Sequence, residues 1–156
     1  MGRFRYRMQS ILDIKLKMET HAKQEFAAAK AALDEEVEKL EVLFRRKEEY
    51  EEEARRLLAG PLKVLDIMAN KEAILRMEEY IVLQTQVVEK AKKKVEEARE
   101  ALKEVMQERK VQEKLKEKAF ENFLAEEKAA ESKEIDQLTS YTYGKRIQYN
   151  NAVNGD

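Results

Sequence analysis

The chain has 156 residues, 40% of them charged, yet its formal net charge is only −1. That balance suits helix faces laced with ion pairs and does not single out a nucleic-acid binder. With no Cys and a single His, disulfides, thiolate chemistry and the usual zinc sites are excluded, and one Pro with four Gly leaves little but long helix.

No apolar run reaches the roughly 18 residues of a membrane span. Arg3, Arg5 and Arg7 are basic, but Asp13, Lys15 and Lys17 interrupt any apolar segment behind them. No signal peptide is expected, and the reading is a soluble cytoplasmic protein.

Residues 1–7 alternate basic and aromatic. A helical pattern follows over about 8–58. Ile11, Ile14, Met18, Ala22, Phe26 and Ala29 carry its first half. Leu33, Glu36, Leu40, Leu43, Lys47, Tyr50, Ala54 and Leu57 carry its second. The two successive steps of four at Met18, Ala22 and Phe26 predict a local register shift. Ala59, Gly60 and Pro61 then punctuate the chain, and a left-handed Gly cap followed by Pro would end the helix. The apex is expected over about 59–70, with Asn70 as an N-cap.

A second helix is predicted over about 71–132. Ile74, Met77, Ile81, Gln84, Val88, Ala91, Val95, Ala98, Leu102 and Val105 alternate steps of three and four without a slip. This is a coiled-coil seam with one polar position, Gln84. Near Arg109 the apolar positions change to Val111, Leu115, Ala119 and Phe123, which predicts a second register shift. The segment 139–156 is rich in Asn, Thr, Tyr and Gly, has no heptad, and is expected to be a disordered tail. The hairpin domain would thus cover 1–138.

So narrow a stripe needs a partner helix. An antiparallel hairpin within one chain and coiled coils between chains both supply one. Charge favours the hairpin. With the apex at roughly residue 65, the acidic block Asp34 to Glu41 faces Lys90 to Lys94, and Arg3, Arg5 and Arg7 face Glu121, Glu126 and Glu127. A parallel dimer would set each block beside its own copy, which is repulsive.

No catalytic constellation emerges, and no enzyme, cofactor or metal site is expected. His21 reads as a solvent-facing residue, and the four Gly are too scattered to cradle a phosphate. Lys92 to Lys94 are flanked by Glu89, Glu96 and Glu97 and read as a solvated face, not a nucleic-acid contact. The unexplained signal is a second apolar stripe, Tyr80, Leu83 and Val87, outside the seam. It is a widened core, a stripe covered by the apex segment folding back, or a lateral docking patch for another protein.

Four segments resemble the FliJ-type flagellar export proteins. They are the opening RFRYRMQSILDIKLKMETHAKQEFAAA, then MEEYIVLQTQVV, QERKVQEKLKEKAFENF and EEKAAESKEIDQL, in that order. The resemblance implies an all-α, long antiparallel two-helix coiled-coil hairpin, similar to the central shaft of rotary ATPases. It implies a flagellar export component that is monomeric alone and peripherally associated with the inner face of the cell membrane. Its partners would be the export ATPase ring, the membrane export-gate protein and export chaperones. On that basis Leu43, Tyr50, Tyr80 and Val87, with Leu83 of the same stripe, are candidate partner-binding residues, and Arg46 stands where the family can carry a second aromatic. Phe4, Tyr6, Met8 and Phe123 would mark the end that enters the ATPase ring. The rival reading is a generic scaffold or adaptor coiled coil with no ATPase partner.

Overall fold

A computed structural model describes residues 2–155. Met1 and Asp156, the ends of the expected hairpin and tail, lie outside the described residues. Two helices are present, α1 (Gln9–Ala59) and α2 (Val64–Val153), and no strand is found among the described residues. The chain divides into two compact units, Leu16–Gln107 and the paired segments Met1–Lys15 and Glu108–Asp156. In each, α1 or the chain leading into it packs antiparallel against α2.

The turn is shorter than the sequence suggests. Only Gly60 to Lys63 separate the helices. Gly60 has no positive φ, so the expected left-handed cap is absent. Pro61, which has no N–H to donate, enforces the stop. Arg56 in the last turn of α1 and Asp66 in the first turn of α2 complement the helix dipoles. Asn70 is not an N-cap. It lies buried in the seam one turn into α2, and its amide donates to the Tyr50 carbonyl at 2.9 Å.

In the unit Leu16–Gln107 the seam runs as expected from Phe26 to Leu57 and from Ile74 to Val105, with Ile67 and Asn70 extending it toward the turn. Met77, Val88 and Val95 are the most buried of its apolar residues. No side chain is fully buried among the described residues, as befits a two-helix layer with solvent on both flanks. Gln84 donates to the Glu36 carbonyl at 2.9 Å and to its carboxylate at 2.6 Å. Glu36 therefore lies opposite Gln84, where an apex at roughly residue 65 would have set it opposite about residue 94. The antiparallel direction stands, but the acidic block Asp34 to Glu41 does not face Lys90 to Lys94; near the termini Arg3, Arg5 and Arg7 do line one groove with Glu126. Lys92 pairs with Glu89 on its own helix at 3.3 Å, and cross-helix ion pairs form instead at Lys47–Glu78 (3.6 Å) and Lys15–Glu108 (2.7 Å).

Neither predicted register shift occurs. Along α1 the inward positions are Leu12, Lys15, Glu19, Ala22 and Phe26, a steady alternation of three and four. Glu19 is only 6% exposed, whereas Ile11, Ile14 and Met18 face outward. Along α2 the inward positions after Val105 are Arg109, Gln112, Lys116, Ala119 and Phe123, while Val111 and Leu115 are exposed. Skipping a residue in a heptad requires local unwinding of the helix. Keeping phase instead buries polar residues, and partners satisfy them: Tyr6 Oη donates to Gln112 Oε1 at 2.9 Å, and Lys15 pairs with Glu108.

The tail expected to be disordered is helical, since α2 runs on to Val153. No Pro follows Pro61, and Gly144 is the one Gly inside the helix. A helix already nucleated extends through such sequence at small cost. From Lys128 onward every described residue except Gly144 is exposed.

Two outcomes test this seam. The Gln84 amide, and then Lys39 at 3.1 Å, hold the Glu36 carboxyl below its ordinary pKa, against a smaller opposing effect of partial burial. A lowered folded-state pKa stabilises the fold at pH above the unfolded value, and that contribution is lost as pH falls through the folded value. In Gln84→Leu, carboxyl NMR should show Glu36 titrating closer to its ordinary value; an unmoved titration would remove this contact from solution. Asn70→Ala should cost about 1 kcal/mol of stability, read as a lower urea midpoint at unchanged slope.

Candidate partner-binding surfaces

The candidate residues divide into three settings. In the heptad that includes Met77, Ile81, Gln84 and Val88, Tyr80 and Val87 each directly precede a seam residue, and Leu83 directly precedes Gln84. The three side chains are 47%, 41% and 59% exposed, so they stand on one outer flank of α2. The possibility that they widen the core is thereby set aside. Leu43 and Tyr50 are different. Both occupy inward positions of α1 and are half-buried, and Tyr50 also accepts the Asn70 hydrogen bond through its carbonyl. They support the seam from within.

Phe44 follows a seam residue and is exposed. In an antiparallel pair, positions after the seam on one helix meet positions after the seam on the other. Phe44 thus lies on the opposite flank from Tyr80 and Val87. Leu75 and Val82, also exposed, lie on the same flank as Phe44. Sequence reading passed over these two. Their seven-residue spacing at a constant offset from the seam was the available signal.

The third setting is the unit that holds both chain termini. The segment before α1 lies along α2, so that Phe4 meets Phe120 edge-on at 5.1 Å and Phe123 at 5.4 Å. Such pairs add to simple burial through ring quadrupoles. Tyr6 is tied to Gln112, and the Gln9 amide donates to the Tyr6 carbonyl at 3.1 Å, which carries the chain into α1. Phe4, Tyr6 and Phe123 therefore form an intramolecular clasp and are half-buried, while Met8 is exposed. Phe120, which sequence reading did not single out, completes it. Around this clasp Met8, Ile11, Ile14, Val111 and Leu115 are exposed beside Arg3, Arg5 and Arg7. The apolar rhythm that looked like core is here an outer surface.

The His21 side chain is 74% exposed, 3.8 Å from Glu25. Among the described residues no cluster of three His, Cys, Asp or Glu side chains is placed to hold a metal ion. Nor is any helix among them long and apolar enough to cross a membrane.

The fold is thus an antiparallel helix pair with apolar stripes outside its seam. The family model described as flagellar FliJ protein matches residues 4–148, and the chain belongs to that family, whose members are non-catalytic components of the flagellar export machinery. Among solved structures, a YscO homolog, CT670 from Chlamydia trachomatis, shares the fold at a TM-score of 0.74 and 22% identity, over 94% of this chain and 99% of that one. No curated protein matches the chain.

The clasp is expected to open without the main seam. Phe4→Ala should cost about 1–2 kcal/mol locally and speed amide hydrogen exchange at residues 9–12, while exchange around Val88 stays unchanged. Equal acceleration at both places would mean that the clasp and the seam open together.

Proposed function

We propose that this protein is a non-enzymatic connector of the flagellar export apparatus, coupling ATP hydrolysis and chaperone cycling to protein export for flagellum assembly. In this reading it works in the cytoplasm at the inner face of the membrane, as a monomer until its partners engage it. One region, the clasp of Phe4, Tyr6 and Phe123 with Met8 beside it, meets the ring of the export ATPase. Another, Tyr80, Leu83 and Val87 backed by Leu43 and Tyr50, meets the membrane export-gate protein. Export chaperones would be handed on between these stations.

The observation that carries this reading is the outward stripe on α2. Tyr80, Leu83 and Val87 keep apolar side chains in water where nothing in the fold requires them. Tyr is also a residue type enriched at binding hot spots. The neighbouring seam is already filled by Ile81, Gln84 and Val88, so the stripe is available to a partner without disturbing the helix pair. Family membership sets what kind of partner to look for.

The test uses the whole chain. Alone it should hydrolyse no ATP, and added to the cognate export ATPase it should raise turnover. Tyr80→Ala with Leu83→Ala should leave far-ultraviolet helicity intact and weaken binding to the gate protein by roughly tenfold or more. A chain that neither stimulates the ATPase nor binds the gate is a scaffold of another kind.

A further inference from the structure

The turn between the helices carries the most exposed apolar cluster in the unit Leu16–Gln107. Leu58 closes α1, Leu62 stands in the turn, and Val64, Leu65 and Met68 lie on the outer face of the first turns of α2. Leu65 is 81% exposed, more than any other large apolar side chain among the described residues, and Leu62 is 68% exposed. None of these residues was needed for the seam, which at this height consists of Leu57, Ile67 and Asn70.

The charges around them have one sign in excess. Residues 55–70 contain Arg55, Arg56 and Lys63 against the single Asp66, in a chain whose net charge is −1. Among the described residues Arg55, Arg56 and Lys63 enter no ion pair, whereas lysines farther from the turn, such as Lys47 and Lys92, do. Asp66 sits in the first turn of α2, where it complements the helix dipole. The acidic residues Glu51 to Glu53 and Glu72 stand farther from the turn in either direction.

We propose that this turn is a membrane-docking tip, in which Leu62, Leu65 and their apolar neighbours enter the interfacial layer of an anionic lipid bilayer while Arg55, Arg56 and Lys63 meet its headgroups. The pairing of apolar side chains with unneutralised cations is what such a surface recognises. Shape points the same way. The cluster comes from the end of one helix, a loop and the start of another, and it forms a blunt end, not a stripe at helical spacing. A rigid partner helix would cover only part of it, while a fluid interface conforms to all of it. The tip lies on the membrane and does not span it, because the apolar segment from Leu62 to Ala69 is far shorter than the roughly 20 residues a crossing needs.

This rests on the membrane-proximal placement proposed above but uses different residues from the partner surfaces, so the two can fail separately. The experiment is flotation of the full chain with vesicles of phosphatidylcholine alone or mixed with phosphatidylglycerol, at low and high salt. The expected result is co-flotation with the mixed vesicles only, weakening as salt rises. Leu62→Ser with Leu65→Ser should abolish it, and Arg55→Glu with Lys63→Glu should reduce it about tenfold or more, with helicity unchanged in both. No flotation at low salt overturns the tip, as does equal flotation on phosphatidylcholine alone or flotation that survives the serine variant. A chain that does not float yet still stimulates the ATPase and binds the gate protein keeps its proposed function and loses the tip.

Discussion

The phase of one heptad constrains the rest of this structure. Between Ile74 and Val105 the inward face of α2 is apolar at every position but Gln84, and the facing residues of α1 from Phe26 to Leu57 follow the same count. Burial of that strip from water is the main favourable contribution available to a two-helix layer. Once the two helices are in register there, each neighbouring position inherits its orientation. Toward the chain termini the inherited inward positions are Lys15, Glu19, Arg109, Gln112 and Lys116, and the aliphatic side chains beside them are turned to solvent. Ile11, Ile14, Val111 and Leu115 are exposed in the unit that carries Phe4 and Phe123.

Polar residues in the seam give this pairing its specificity. An apolar seam of repeating small and branched residues fits itself nearly as well when slid by a heptad. Asn70 reaches the Tyr50 carbonyl, and Gln84 reaches both the carbonyl and the carboxylate of Glu36. A shift by seven residues would offer these amides other backbone carbonyls, but it would set Gln84 opposite Ala29 or Leu43 and so remove its carboxylate partner. One buried amide can fix the register of a coiled coil at some cost in stability. Here the Gln84–Glu36 side-chain pair is the contact specific to one alignment.

The seam from Ile74 to Val105 was legible in the sequence because its apolar residues never leave phase. Even Glu36 and Lys47 could be assigned inward positions against their polarity, since flanking leucines held the count. The reading failed at both ends, where following polarity meant choosing Met18 over Glu19 and Val111 over Gln112. Their satisfaction comes from residues about a hundred positions away, as in the Tyr6–Gln112 and Lys15–Glu108 contacts, and no local pattern shows that. Extending the three-four count outward from Ile74 would have found them. Among the candidate site residues, Tyr80, Leu83 and Val87 were visible as apolar residues off the count. Leu43 and Tyr50 could not be separated from core, because they are on it. The segment after Thr139 has no heptad, because a helix that buries no stripe carries no periodic signal.

The four-residue turn also fixes an order of assembly. The contacts Asn70–Tyr50, Gln84–Glu36, Lys15–Glu108 and Tyr6–Gln112 span 20, 48, 93 and 106 residues of chain. Joining a longer loop costs more chain entropy, but the increment shrinks when intervening pairs have already formed. On a ribosome the ring of Phe4 waits, solvated, until Phe120 and Phe123 have been translated. Pairs beside the bend can close while it waits.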